Sequence, residues 1–329
     1  MKYSYARIAT VFVLMLSLLL TACSDTPTTA PGATAAKYSL RYVNFKVYDP
    51  VYVGIDKGFF SKYGLQVEII GDSLGGPTAI QAVSTGRAEA GLSSIPAIIN
   101  AAASGIPVMG VTDIQSAVGD QPLEEYFVKD PAIKSVKDLK GKRVAVNLWK
   151  SSFHYTAIMA LEKAGFTEKD VEFVLIPFER QAAALASGQV DMIGLMQPYT
   201  AFAKAEQGQQ LIPLFTAFDV FGKKQFTVHF VNSIWAKYNS EAASAFANGI
   251  ADSVAWIEAN QDEAKPIIAK YTGVEAKYIP TYHFQPDARV VPEDAQFWLD
   301  YMLKRGDITA SWLKPEDFVT NRYNQKAIR

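Results

Sequence analysis

Two serine pairs stand where a short apolar strand gives way to an apolar-periodic helix. Ser93-Ser94 follow a predicted strand at 88–92, and Ser151-Ser152 come a few residues after a predicted strand at 144–146. A helix start offers free backbone N–H groups and the positive end of the helix dipole, and serine adds a hydroxyl. Because open α/β sheets bind ligands at the carboxyl ends of their strands, both pairs predict walls of a binding cleft. The alternative left open is that these serines only cap their helices.

The other predicted ligand-binding residues share that position, at or beside the carboxyl end of a strand. Aromatic rings in such loops favour a planar ligand, since each ring pair adds ~0.5–1.5 kcal/mol beyond area burial. Two or three of these aromatics are expected in the core instead. The full predicted set is Asn44, Phe45, Tyr48, Gly76, Ser93, Ser94, Trp149, Ser151, Ser152, Phe178, Gln197 and Tyr199.

The residue inventory argues against an enzyme, so no catalytic residue, metal site or cofactor is predicted. Cys23 is the single cysteine, and His154, His229 and His283 stand in no metal-ligand spacing. There is no glycine-rich phosphate loop of known spacing. His154 lies in the first turn of a predicted cleft helix, where a structural or solvent-facing role competes with ligand contact. The formal net charge of −1 gives no footprint for nucleic acid.

The amino terminus resembles a bacterial lipoprotein signal. A positive start is followed by an apolar run at 8–20 and then by Thr21-Ala22-Cys23. The resemblance implies a signal peptide at 1–22, a lipid on Cys23 and a flexible Thr-, Pro- and Ala-rich tether at 23–37. The protein would then be anchored to the membrane on its extracytoplasmic side, periplasmic or outer, without spanning it. An incidental cysteine beside a plain signal peptide is the alternative.

Strands and helices alternate twice along the chain. The first series covers about residues 40–112 and the second about 143–215, separated by a polar stretch at 113–134. Such alternation with short loops predicts mainly parallel sheets covered by helices. From about residue 239 the pattern is mostly helical. The fold class is therefore α/β with a helical carboxyl-terminal tail.

Five segments, taken in their order along the chain, resemble the solute-binding proteins of bacterial ABC importers, in the group for nitrate, sulfonates, taurine and pyrimidine thiamine precursors. The matching segments lie at 50–60 with 64–68, at 82–91, at 137–146, at 161–165 and at 186–192. The resemblance implies the type II periplasmic-binding-protein fold, with two lobes joined by crossovers near 114–128 and 218–231. Lobe 1 would comprise 38–120 plus 225–329, and lobe 2 would comprise 121–224. The expected role is capture of a small molecule between the lobes, by a monomer that delivers it to an ABC permease.

The predicted ligand class rests on two features of the predicted cleft, one that disfavours a ligand amine and one that disfavours an anion. Family members often carry an acid-Pro pair where this chain has Gln197-Pro198, so a ligand amine such as that of taurine lacks a counter-ion. Only Lys46 and Lys150, and no arginine, lie near the predicted cleft. We therefore expect a planar heterocycle of the vitamin, pyrimidine or flavin type. A sulfonate, taurine or nitrate is the alternative ligand, and an enzyme resembling thiamine-pyrimidine synthases is a further alternative.

Overall fold

The computed structural model describes residues 36–115 and 124–328. The predicted signal peptide, Cys23 and most of the predicted tether lie outside these residues, so the lipid anchor stays a prediction. Within the described ranges, no helix has the length and apolar character needed to cross a bilayer.

Ten strands form two five-stranded sheets in the described residues. In chain order they are β1 (Tyr38–Asn44), β2 (Leu65–Asp72), β3 (Ala90–Ser94), β4 (Val108–Gln115), β5 (Glu125–Val128), β6 (Arg143–Val146), β7 (Glu172–Leu175), β8 (Met192–Leu195), β9 (Ile212–Thr216) and β10 (Thr227–Asn232).

Each sheet has four strands in one direction and one reversed strand. The first sheet has the order β2-β1-β3-β10-β4, and the second has the order β7-β6-β8-β5-β9. β10 is antiparallel to both β3 and β4, while β5 is antiparallel to both β8 and β9. The reversed strands are therefore the ones beside the predicted crossovers, and the expectation of mainly parallel sheets holds for the rest.

Helices alternate with these strands and then make up most of the carboxyl-terminal part. The α-helices of the described residues are α1 (Pro50–Asp56), α2 (Gly76–Ser84), α3 (Ile95–Ala103), α4 (Ser152–Lys163), α5 (Phe178–Ala186), α6 (Tyr199–Gln207), α7 (Ala217–Phe221), α8 (Ser233–Tyr238), α9 (Ser240–Ala259), α10 (Gln261–Thr272) and α11 (Pro292–Arg305).

Helix α1 shows how local sequence sets these bounds. Asp49 caps it by accepting the Val51 N–H at 2.9 Å, and Pro50 occupies the first turn, where a missing N–H costs nothing. The sequence predicted one helix continuing to Gly64. It ends instead at Asp56, because Gly58 adopts a φ of 74°, and a short 3₁₀ turn at Ser61–Tyr63 follows.

We call the part of the molecule around the β2-β1-β3-β10-β4 sheet the first half and the part around the β7-β6-β8-β5-β9 sheet the second half. The carboxyl-terminal helices pack against the first half and also contact the second. Phe246 of α9 stacks on Phe60 with ring centroids 5.8 Å apart. Trp298 of α11 is fully buried and donates its indole N–H to the Gln225 carbonyl at 2.9 Å. Tyr301, on the same helix, donates to Glu162 of α4 at 2.9 Å. The predicted helical tail is confirmed, whereas the residue limits of the two lobes remain a prediction.

Candidate functional site

A small cavity lies between strand residues of the first sheet and residues that follow strands of the second sheet, and we call it the serine cavity. Its volume is about 20 Å³, close to the space that one water molecule needs. Four helix starts meet there, because residues at the beginning of α2, α3, α4 and α5 line it. The lining residues are Phe45, Gly76, Ser93, Ser94, Asn147, Ser151, Ser152, Phe153, Phe178, Met196 and Thr227.

Ser93 and Ser94 end β3 and present two buried hydroxyls to this cavity. Ser94 stands at the N-cap of α3, but its side chain makes no capping hydrogen bond. Neither hydroxyl oxygen has a hydrogen-bond partner among the described residues. An unpaired buried hydroxyl costs about 1–3 kcal/mol. Simple capping therefore does not account for this pair, and both hydroxyls are free to bond to a molecule in the cavity.

Gly76 brings the start of α2 close to Ser93. A Cβ atom added at Gly76 would lie 2.2 Å from Ser93 Oγ and 3.1 Å from Ser93 Cα. In the preceding position Gly75 has a φ of 152°, and a Cβ there would meet Leu148 and Asn147 of the opposite half. Glycine at position 76 thus lets the start of α2 approach β3, and glycine at position 75 lets this backbone touch the loop of the other half.

The opposite serine pair is already engaged in holding its helix. Ser151 accepts the His154 N–H at 3.4 Å and donates to Asn147 Oδ1 at 2.8 Å. Ser151 is therefore the N-cap of α4 as well as a cavity residue. Ser152, the first residue of the helix, is buried beside it.

Glu124, a buried acid that sequence reasoning missed, lies next to Ser152. Its Oε2 accepts the Tyr126 hydroxyl at 2.6 Å. Burial raises the pKa of Glu124 to about 8, although hydrogen bonds from hydroxyls, including those of Tyr126 and Ser152, oppose the shift. The carboxyl is thus mostly protonated at pH 7. Because the lining side chains are also uncharged, the serine cavity is an uncharged site with four positive helix ends around it.

Aromatic rings form one side of the cavity and separate it from a larger opening. Phe178 contacts Phe153 at 4.7 Å, Tyr199 at 5.7 Å and Phe45 at 6.1 Å between ring centroids. Phe45 and Phe178 also line a neighbouring cavity of about 550 Å³, which we call the outer cavity and which includes Tyr199. These two phenylalanines therefore stand between the two spaces.

Some predicted site residues lie outside the serine cavity. Asn44 spends its side chain on the loop that carries Phe45, accepting the N–H of Phe45 at 2.9 Å and donating to Asp72 at 2.8 Å. Tyr48 is buried, with its ring stacked on Tyr282 at 5.0 Å. Neither Asn44 nor Tyr48 lines the serine cavity.

Gln197 and Trp149 also lie away from the serine cavity. Gln197 is buried, precedes a cis peptide bond to Pro198 and accepts the Ala201 N–H at 3.2 Å. Trp149 is 48% exposed and lines a different cavity with His154. Trp149 therefore belongs to the predicted loop between β6 and α4, but it lines the cavity on the side away from the serine cavity.

Four lining residues stand outside the predicted set, Asn147, Phe153, Met196 and Thr227, although the sequence does place Phe153 beside a predicted cleft loop. Asn147 and Met196 directly follow β6 and β8, so the strand-end rule could have found them. Thr227 begins β10, opposite Ser94. Because β10 is reversed, its start lies at the edge where its neighbours end, and a rule that looks for strand ends misses it.

The family assignment follows from a match that covers more than half of the chain. The family model described as NMT1/THI5-like matches residues 46–264. The chain belongs to the NMT1/THI5-like family. The predicted family and fold class are thereby confirmed.

Named relatives of this NMT1/THI5-like protein differ in what they bind or do. The riboflavin-binding protein RibY of Chloroflexus aurantiacus is 23% identical over 339 residues, which cover 95% of this chain and 92% of RibY. The alkanesulfonate-binding protein SsuA from Xanthomonas axonopodis pv. citri, bound to MOPS, has a TM-score of 0.71 at 18% identity, covering 89% of this chain and 99% of SsuA. The desulfurization enzyme DSZB has a TM-score of 0.66 at 16% identity, covering 88% and 99%. The two solved structures share the fold of this chain but not one function, so the site must decide the function.

Proposed function

We propose that this protein is the substrate-binding component of an ABC-type importer and captures a small solute at the serine cavity. The observation that carries the proposal is the pair of buried, unpartnered hydroxyls of Ser93 and Ser94, which face residues from the other half of the molecule. A ligand that bonds to both halves stabilises the arrangement in which they approach. Because about 20 Å³ holds little more than a water molecule, the halves must separate for any solute to bind or leave.

For the ligand, we favour a planar heterocycle with ring carbonyl oxygens. Its carbonyl edge would accept from the serine hydroxyls, and its ring would pass between Phe45 and Phe178 toward the outer cavity. The uncharged lining and the absence of arginine from it support this choice. So does the overall similarity to a riboflavin-binding relative.

A sulfonate or nitrate is the second candidate, favoured by a specific observation. Four helix starts converge on the serine cavity, and helix starts stabilise negative charge by about 0.3–1 kcal/mol each. The alkanesulfonate-binding protein SsuA shares this fold. Under this alternative the oxygen atoms of the anion replace the ring carbonyls as partners of Ser93 and Ser94.

We further propose that the chain acts as a monomer outside the cytoplasmic membrane, held there by a lipid on Cys23 and delivering its ligand to a permease. This part of the proposal rests on the amino-terminal sequence. Mass spectrometry of the membrane fraction tests it, since a diacylglyceryl group on Cys23 is the expected modification. An unmodified chain cleaved elsewhere would contradict it.

A non-enzymatic role is part of the same proposal. The rival, an enzyme like others with this fold, would need a nucleophile or a metal near the ligand. In the described ranges, no three His, Cys, Asp or Glu side chains form a group that could hold a metal ion. Metal analysis after loading with Zn²⁺ or Fe²⁺ tests this directly, and stoichiometric metal that His154→Phe removes would support the enzyme.

A ligand screen tests the site and separates the two ligand classes. Riboflavin, a pyrimidine, an alkanesulfonate, taurine and nitrate are compared by thermal shift and titration calorimetry. A ligand at ~100 times its dissociation constant adds about 2.7 kcal/mol of stability. Ser93→Ala with Ser94→Ala should weaken the true ligand by about 5- to 150-fold, because two neutral hydrogen bonds contribute about 1–3 kcal/mol.

The matched control is Ser187→Ala, because the Ser187 hydroxyl donates to the Ala184 carbonyl at 3.1 Å, far along the chain from either serine pair. This variant should bind like the unmodified protein. If the serine double variant also binds normally, the serine cavity is not the binding site. If nitrate or an alkanesulfonate binds tightly and neither ring compound binds, the heterocycle is excluded and the anion is retained.

A further inference from the structure

A third cavity lies on the other side of the first turn of α4 from the serine cavity. Its volume is about 500 Å³, within the range typical of small-molecule sites. It shares no lining residue with the serine cavity or the outer cavity. We call it the tryptophan cavity, and the residues that matter here are Trp149, Lys150, His154, Phe173, Arg305 and Asp307.

Three rings at this cavity stand nearly perpendicular to one another. His154 lies 4.9 Å from Trp149 and 4.9 Å from Phe173, with interplanar angles of 82° and 84°. Trp149 and Phe173 are 6.1 Å apart at 80°. An edge-to-face contact covers only one face of one of its two rings, and Trp149 is 48% exposed. A planar guest can therefore stack on the indole while meeting the other rings edge-on.

His154 adds one defined hydrogen-bond donor. Its Nδ1 accepts the Lys150 N–H at 3.2 Å, so the neutral ring carries its proton on Nε2. That Nε2 is buried and has no hydrogen-bond partner among the described residues. Burial, followed by the nearby Arg305 and Lys150 charges, lowers the pKa of His154 to about 4, so the ring is neutral at pH 7. The group on offer is an uncharged N–H donor that needs an acceptor.

The charged residues around the cavity are largely occupied with one another. Arg305 pairs with Asp307 at 2.9 Å, with Glu168 at 3.4 Å and with Glu162. The charged residues that line the cavity, Lys150, Glu168, Arg305 and Asp307, are two cations and two anions, so the lining has no formal net charge that would select an ion of one sign. An uncharged guest loses less hydration on entering such a site.

We propose that the tryptophan cavity is a second binding site, for an uncharged planar aromatic molecule that carries a hydrogen-bond acceptor, such as an aromatic amide. The ring stacks on Trp149, and the acceptor takes the Nε2–H of His154. This assignment does not depend on the proposed transport function, because it uses none of the residues of the serine cavity.

The test uses nicotinamide as the probe and ligand-observed NMR on the full chain. Saturable binding is expected, with a dissociation constant below about 10 mM, which is weak but measurable. Trp149→Ala should weaken it by about 5-fold or more, since stacking on an aromatic side chain contributes on the order of 5- to 150-fold in affinity. His154→Phe, which keeps a ring but removes the donor, should weaken it by about 2- to 12-fold.

Two controls make the result decisive. Trp312→Ala removes a more exposed indole, 64% against 48% for Trp149, that is absent from the cavity lining, and should leave binding unchanged. Cyclohexanecarboxamide keeps the acceptor without the aromatic ring and should bind at least about 5-fold more weakly. The proposal is overturned if nicotinamide does not saturate, if Trp149→Ala binds as well as the unmodified chain, or if cyclohexanecarboxamide binds equally. It is also overturned if Ser93→Ala with Ser94→Ala, rather than Trp149→Ala, removes the binding.

Discussion

The serine cavity and the tryptophan cavity lie on two sides of the same helix start, yet they are built differently. The first is about 20 Å³ and lined by hydroxyl, amide and aromatic groups without charge. The second is about 500 Å³ and combines rings with an ionic cluster at its rim. Ser151 connects them, since it lines the first and caps the N–H of His154 in the second.

The two cavities differ in whether a ligand binds through closure of two halves of the molecule or in a space that already exists. A ligand in the serine cavity must be enclosed by both halves, so its affinity depends on how far those halves close. The tryptophan cavity already has room for a guest, so binding requires only the side-chain movement that brings the buried His154 Nε2 within reach. Substitutions in the first should therefore change both stability and closure, whereas substitutions in the second should change mainly its own contacts.

The largest contrast is expected between two aromatic residues, Phe178 and Trp149. Phe178 is 4% exposed and contacts three other rings, so Phe178→Ala should lower the free energy of unfolding by about 3–5 kcal/mol. Trp149→Ala should lower it by about 1 kcal/mol or less, because half of that side chain is already in water. Urea denaturation measures both, and equal losses would contradict the distinction between a packed wall and an open one.

The next effect concerns the buried acid beside the serine cavity. The folded-state pKa of Glu124 is raised from 4.5 to about 8. Between these values the unfolded chain loses the proton while the folded chain keeps it, so the free energy of unfolding falls as pH rises. This contribution should drop by on the order of 3 kcal/mol from about pH 5 to about pH 8.

Glu124→Gln keeps an acceptor for Tyr126 and removes the titration. The difference in free energy of unfolding between this variant and the unmodified protein should therefore grow in favour of the variant across that range. Chemical denaturation at several pH values measures it. A pH-independent difference would mean that Glu124 titrates near its ordinary value in the folded protein.

A smaller effect is expected from Gly76→Ala, which acts on the serine cavity alone. The added Cβ would overlap Ser93 Oγ at 2.2 Å, so that hydroxyl must move, and Ser93 Cα at 3.1 Å must give by a few tenths of an ångström. Overpacking of this kind costs about 1–3 kcal/mol of stability. Ligand binding at Ser93 should weaken while nicotinamide binding at Trp149 is unchanged, as paired titrations can show. A parallel loss at both cavities would show that the two are not independent.

The same contrast shows how far the sequence could lead. Predicted residues that bring the serine cavity together, such as Ser93, Ser152 and Phe178, follow from where strands end and helices begin. That rule gives a position but not a side-chain direction, so it placed Tyr48 and Gln197 in the same set although each is packed elsewhere. Thr227 escaped because its strand is reversed.

The tryptophan cavity had no signal of this kind. Trp149 and Arg305 are far apart in sequence, and their meeting depends on how α11 packs beside α4. Local periodicity predicts that both helices exist but not which faces meet. His154 was singled out for its place in the first turn of α4, and the structure adds a buried, neutral ring with one free nitrogen.

The smallest effect follows from that ring. Burial lowers the folded-state pKa of His154 from 6.5 to about 4, with Arg305 and Lys150 acting in the same direction and Asp307 opposing them. Between these values the unfolded chain takes up a proton that the folded chain refuses, so stability is lost as pH falls. The loss from about pH 7 to about pH 5 should be on the order of 2 kcal/mol.

His154→Phe keeps the ring packing against Trp149 and Phe173 but cannot bind a proton. Its stability relative to the unmodified protein should therefore rise as pH falls through this range, opposite in direction to Glu124→Gln. If both variants shift the pH profile in the same direction, either the raised pKa of Glu124 or the lowered pKa of His154 is contradicted.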